Sequence, residues 1–250
     1  MMPDIMNKLL ILVWLAVFTL PSSAQLRVAA AASLTLPLTE AGKAFEAETG
    51  IRVVTSFGAS GSLSRQIQQG LPVDLFISAN PQWMDALEKT GHIIPETRRN
   101  LFGNALVVIV PADSTLTFDH ITEVGRIAIG DPASVPAGQY AVEALRHLGL
   151  DDALSPRILP AMNVRAALAL VARNEVDAGI VYRSDGLTES RVHIIHTFAP
   201  ETHQPIVYPA ALVIDAAHPD LALQWLSYLA TEPGAAPFRS AGFQLPAADP

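Results

Sequence analysis

Phe57-Gly58-Ala59-Ser60-Gly61-Ser62-Leu63 decides how the chain is read. The apolar run Ile51-Arg52-Val53-Val54 leads into it, and a helix-type run from Leu63 to Gln69 leads out. Between them the residues are Gly, Ala and Ser, so the backbone is bare and its N–H groups can approach a ligand. The stretch carries no charge, no acid or base and no metal ligand. A strand-to-helix turn of this composition suits an anion, held by first-turn amides and hydroxyl donors. The same residues also suit an ordinary helix start, capped by a serine and turned by small residues. The rest of the chain decides between the two.

Outward from this turn, strand-type and helix-type runs alternate. Leu26 to Ala30 reads as a strand, and Leu34, Leu38, Ala41 and Phe45 then recur at helical spacing before Gly50. Val73 to Ser78, the continuous apolar run Ala105 to Val110, Arg126 to Ile129, Gly179 to Tyr182 and Val192 to His196 read as further strands. Ile206 to Ile214 reads as a long strand broken by Pro209. Helical faces fall between, such as Ala141, Ala144, Leu145 and Leu148, or Val164, Ala167, Leu168 and Val171. Leu221, Trp225, Tyr228 and Leu229 mark a C-terminal helix.

Repeated β–α alternation predicts sheets covered by helices. The stretches around Ala105 and Tyr208 read as crossings between lobes, with Gly103 before one and Pro209 inside the other. The expected fold is therefore α/β, with two lobes of mixed, mostly parallel sheets joined by a two-strand hinge. Lobe I takes residues 25–104 and 205–250, and lobe II takes 105–204. One continuous doubly wound sheet is the alternative.

Composition sets the class. The 250 residues are half hydrophobic, enough for a sizeable core. Lys8, the apolar run Leu9 to Leu20 and Pro21-Ser22-Ser23-Ala24 read as a signal peptide over residues 1–24, cut after Ala24. The competing reading is a membrane anchor, for which the run is short. Asp4 is out of character before such a run, which makes Met6 an alternative start to Met1. The chain has no cysteine, hence no disulfide and no thiol to lipidate, and the expected address is the periplasm. A formal charge of −8 without a basic run argues against nucleic acid and anionic membranes.

Ligands of open parallel sheets sit beyond the carboxyl ends of strands. Five such turns stand out: Ala30 to Leu34 with Ser33 as a cap, Ser60-Gly61-Ser62, Asp131 to Tyr140, Met162 to Arg165 with Asn163 as a cap, and Ile180-Val181-Tyr182. They offer hydroxyls and amides and few charges, which suits a fully deprotonated oxyanion. Asp131 and Asp185 read as turn devices. Other chemistries fit less well. Gly58-Ala59-Ser60-Gly61-Ser62 approaches the serine-hydrolase turn, with Asp74 as a conceivable partner, but Ser62 stands where the last glycine belongs. His193 and His196 are three apart on a β-type run and face opposite sides, so metal binding is weakly supported. There is no P-loop and no G-x-G-x-x-G.

Seven motifs together resemble the molybdate-binding proteins of ABC uptake systems. They are Ala31-Ala32-Ser33-Leu34, the run Ser56 to Ile67, Asp74 to Ala79, Gly103 to Val108, Gly130-Asp131-Pro132 with Val135 to Gly138, Asn163-Val164-Arg165, and Gly179 to Tyr182. The resemblance implies a two-lobed periplasmic binding protein of type II, with no enzymatic activity and no cofactor. Its ligand would be molybdate or tungstate, bound by the side chains of Ser33, Ser60 and Tyr182 and the amides of Ala137 and Val164. The amides of Ser33 and Ser60 would be further donors. Its partner would be a membrane permease with its ATPase, served by a monomer. The same fold binding sulfate, and a secreted serine hydrolase, are the alternatives.

Overall fold

The computed structural model describes residues 25–245. The expected signal peptide, 1–24, lies outside the described residues, as do 246–250. The first strands and helices are β1 (Gln25–Ala31), α1 (Thr35–Thr49), β2 (Arg52–Gly58), α2 (Ser60–Gln68), β3 (Leu75–Ile77), α3 (Pro81–Lys89) and β4 (Arg99–Gly103). Then follow β5 (Leu106–Pro111), β6 (Ile127–Gly130), α4 (Pro136–His147), α5 (Asp151–Leu154), β7 (Ile158–Ala161), α6 (Val164–Ala172), β8 (Ala178–Tyr182), α7 (Arg183–Leu187) and β9 (Val192–Thr197). The chain closes with β10 (Val207–Leu212), α8 (Pro219–Leu229) and α9 (Glu232–Ser240).

The strands form two five-stranded sheets, ordered β2-β1-β3-β10-β4 and β7-β6-β8-β5-β9. The chain leaves the first sheet through Asn104-Ala105 and returns through residues 198–206, which contain a 3-10 turn at Pro200–Thr202. Antiparallel pairs flank the crossing: β4 with β10 on one side, β5 with β9 on the other. Pro209 marks a register shift in the β4–β10 ladder, as a residue without an N–H should.

The sheets are more evenly mixed than expected. In each, two ladders are parallel and two antiparallel. Four strands of five still point one way. The reversed strand is β10 in the first sheet and β5 in the second. Both are the strands that begin just after a crossing, so the reversal follows from insertion of one sheet's chain inside the other's.

Register places the turns. β1 and β2 pair in step from Gln25↔Arg52 to Ala31↔Gly58, so they end together. Ser33 and Ser60 each lie two residues past those ends. β3 runs parallel with Ala30↔Ile77, which brings Ala79 to the same edge. In the second sheet Gly130↔Ala161 aligns the turns that lead to Ala137 and Val164.

Behind the first sheet, Trp225 of α8 is fully buried. Its ring meets Phe45 of α1 edge-on at 5.0 Å and stacks on Tyr228 at 5.7 Å. Trp225→Ala should therefore lower the unfolding free energy by about 3–5 kcal/mol. Urea denaturation would read this as a lower midpoint at an unchanged slope; an unmoved midpoint would mean the aromatic cluster is not part of the cooperative core.

Candidate functional site

The two sheets face each other across a small cavity of about 10 Å³, room for about one water-sized group. Ser33, Ser60, Ala137, Val164 and Tyr182 all line it. Gly58, Ala59, Ala79, Pro136 and Asn163 line it as well, and no lining side chain is charged. Thus all five residues singled out from the sequence meet at one place.

Three helices start at the cavity: α2 at Ser60, α4 at Pro136 and α6 at Val164. First-turn amides have no partner inside their helix. Neither Ala137 nor Val164 donates its N–H to a main-chain acceptor outside its helix. The positive ends of three helix dipoles therefore converge on uncharged walls. Asn163 caps α6 as expected, its side chain accepting from the Ala166 N–H at 2.9 Å.

The hydroxyls do something else than expected. Neither Ser33 nor Ser60 caps a helix. Ser33 sits in a 3-10 turn (Ala32–Leu34), and its Oγ lies 2.9 Å from the Tyr208 hydroxyl. Helix α2 begins at Ser60 itself, three residues before the start read from its apolar spacing. Ser60 Oγ accepts the Ala79 N–H at 3.0 Å. That bond holds the Ser60 oxygen at the cavity wall. Tyr182 ends β8, is buried, and its hydroxyl has no hydrogen-bond partner among the described residues. Burial, with Tyr208 nearby, pushes the Tyr182 hydroxyl far above its ordinary range, so it stays protonated; the Tyr208 oxygen is close enough to be felt but not in bonding geometry.

Two contacts hold the sheets together over this cavity. The Gly61 N–H donates to the Ser134 carbonyl at 3.0 Å. Asn80 Nδ2 donates to Gln139 Oε1 at 2.8 Å. Gly61 permits the first: a Cβ there would stand 2.6 Å from the Trp83 ring and 2.8 Å from the Ser134 carbonyl oxygen. Gly138 has the same duty one turn into α4, where a Cβ would collide with the Gly130 carbonyl. Gly61, Ser134, Gly138 and Gln139 lie in turns singled out from the sequence, and Asn104 and Tyr208 in the crossings, but their pairings were not read there. Contacts between residues far apart in the chain leave no local spacing to read.

Beyond the lining, the Asp185 carboxylate is fully buried and reaches Arg165 at 3.4 Å, while its second oxygen has no partner among the described residues. Burial pushes its pKa up to about 7, against the pull of the Arg165 guanidinium and the Tyr182 backbone. The carboxylate of Asp74 accepts the Arg27 and His218 N–H groups and so fastens the first sheet. Among the described residues no group of His, Cys, Asp and Glu could hold a metal ion. Larger cavities, of about 400 Å³ beside the Asn104 crossing and about 690 Å³ under Pro111 and Asp177, lack this convergence of helix N-termini. No described helix is long and apolar enough to cross a membrane.

The chain matches the family described as bacterial extracellular solute-binding protein over residues 26–244. It is similar to the molybdate-binding protein ModA of Escherichia coli (strain K12), at 44% identity over 203 residues, or 78% of this chain and 79% of that protein. Its fold matches the periplasmic molybdate-binding protein of Azotobacter vinelandii with a TM-score of 0.81 and 28% identity, over 89% of this chain and 100% of that one. The sulfate-binding protein SubI of Mycobacterium tuberculosis H37Rv shares the fold at a TM-score of 0.79 and 19% identity, over 90% of this chain and 88% of that one.

Asp185 offers a test of the packing around Tyr182. Its pKa is about 7 in the fold and near the ordinary 3.8 when unfolded. Between these values the folded chain holds a proton that the unfolded chain has released. Stability from this group is therefore full below about pH 4 and falls as pH rises to about 7. Asp185→Asn should remove that loss. Melting temperatures of the two proteins, taken from about pH 4 to about pH 8, should diverge in the variant's favour, at roughly 2–4 °C per kcal/mol. Parallel curves would show that the carboxyl is not raised.

Proposed function

The chain belongs to the bacterial extracellular solute-binding protein family, and from that premise we propose that it captures molybdate, and with it tungstate, for delivery to an ABC permease driven by its ATPase. The observation that supports this reading best is the cavity itself: residues of five turns line it, and no lining side chain is charged. A fully deprotonated oxyanion accepts hydrogen bonds at every oxygen, so it satisfies such a site. The similarity to molybdate-binding proteins over most of the chain supports the choice of anion.

In this reading Ser33, Ser60 and Tyr182 donate through their hydroxyls, and Ala137 and Val164 through their amides. Each bond to a charged acceptor contributes roughly 1.5–3 kcal/mol, so several suffice for the ~8 kcal/mol of micromolar binding. Lobe I would comprise 25–104 and 205–250, and lobe II 105–204, closing on the anion about the crossings. The protein would work in the periplasm as a monomer, exported by the segment 1–24, with no catalytic step and no cofactor. Against hydrolysis, Ser60 Oγ has the Ala79 amide and no base among its partners in the described residues. Sulfate is the second ligand to consider, because a sulfate-binding protein shares the fold. Its shorter bonds would leave a rigid amide cage underfilled.

Calorimetry with molybdate, tungstate, sulfate and phosphate should give tight binding of the first two alone; equal affinity for sulfate would overturn the choice of anion. Ser60→Ala should weaken molybdate binding about 10- to 150-fold without changing the circular dichroism. Gly61→Ala should hold the sheets apart. Small-angle scattering with saturating molybdate would then give a larger radius of gyration than for the wild type, and identical radii would show that Gly61 is not the point of closest approach.

A further inference from the structure

We propose that Asn104 is a positioning residue that fixes the direction of a buried hydrogen-bond chain and so makes the Ser33 hydroxyl a donor to the anion. The proposal deepens the oxyanion reading of the cavity and rests on it. Asn104 is buried on the crossing between β4 and β5 and does not itself line the cavity. Its contacts orient its amide. Oδ1 accepts the Ala105 N–H at 2.9 Å and the Ser184 N–H at 3.4 Å. A flipped amide would set its NH2 against both donors. Nδ2 must therefore point the other way, and there it meets Ser184 Oγ at 2.8 Å and the Tyr208 hydroxyl at 3.4 Å.

The consequence runs along the chain of groups. Ser33 Oγ and the Tyr208 hydroxyl are 2.9 Å apart, and either one can donate. Among the described residues the Tyr208 hydroxyl has two partners, Asn104 Nδ2, which can only donate, and Ser33 Oγ, so the acceptor left for the Tyr208 proton is Ser33. The Ser33 proton is then left for the cavity. Burial keeps the Tyr208 hydroxyl protonated, so the chain does not break by ionisation. Asn104 thus removes an ambiguity that the Ser33–Tyr208 pair alone would keep. A Ser33 hydroxyl turned the other way would present a lone pair, which repels a bare oxyanion and welcomes a protonated one. Asn104 also bonds Ser184, in the helix that follows Tyr182, so two walls of the cavity share this one side chain.

A double-mutant cycle tests this. Asn104→Asp keeps the shape and replaces the donor by an acceptor, so Tyr208 would turn its proton toward the new carboxylate and Ser33 would turn its own toward Tyr208. Molybdate affinity by calorimetry should fall about tenfold or more in the wild-type background and clearly less in a Tyr208→Phe background, where the chain is already cut. The preference for molybdate over hydrogen phosphate should also narrow, a change that a structural role would not produce. Where Asn104→Asp fails to fold, Asn104→Ala takes its place in the same cycle, with a smaller loss that Tyr208→Phe again suppresses. Equal losses in both backgrounds overturn the proposal while leaving the oxyanion reading intact. A wild-type protein that binds none of molybdate, tungstate and sulfate overturns both.

Discussion

A buried hydrogen-bond donor that finds no acceptor costs about 1–3 kcal/mol, and this fold gathers several of them at one point. The Ser60 hydroxyl at the cavity accepts from the Ala79 N–H. Tyr182 has no partner for its hydroxyl among the described residues. First-turn residues of α4 and α6, Ala137 and Val164, line the same cavity. No lining side chain is charged. That imbalance is the physical content of the site: the cavity is stable in company with something that only accepts. It also explains how a chain with a formal charge of −8 can favour an anion. The attraction comes from oriented dipoles within a few ångströms, where the distant carboxylates of the surface are screened.

The second constraint is steric. Gly61 and Gly138 let backbone approach backbone beside the cavity, and most of the lining residues are small. Gly, Ala and Pro have almost no rotamers to change. A cage of this kind measures the radius of its occupant by the spacing of helix starts, and side chains supply direction more than size. The turn Phe57 to Leu63 carries both parts. Ser60 puts a hydroxyl at the cavity, and the glycine beside it lets the two sheets approach closely.

How much of this the sequence reveals depends on the range of the contact. The strand-end turns were legible because each is local: apolar run, small residues, apolar run at a new period. Ser33, Ser60, Ala137, Val164 and Tyr182 fall in those turns. The exact duty of the serines was not legible, because a serine at a helix start reads as a cap whether its oxygen faces the helix or the opposite sheet. Strands β4 and β7 escaped notice, since Arg99-Asn100 and Pro160 dilute their apolar character. Helix α9 carries Pro233 and Pro237 and spells a break, yet Thr231 caps it and the first proline falls in the turn that tolerates one. Asn104 and Tyr208 are 104 positions apart and bond through the fold alone.

The place of β10 has a bearing on how the molecule is made. It lies inside the first sheet, between β3 and β4, yet among the described residues it is the last strand to be synthesised. Until it arrives, β4 has no neighbour and the first sheet has an open edge. The second sheet uses only consecutive strands, β5 to β9, and needs nothing from the C-terminus. Assembly should thus run against the order of the sequence, with the middle of the chain settling before its beginning. At roughly 5–20 residues per second, a ribosome takes on the order of ten seconds to go from β4 to β10. Throughout that interval the first sheet lacks the strand that joins β3 to β4.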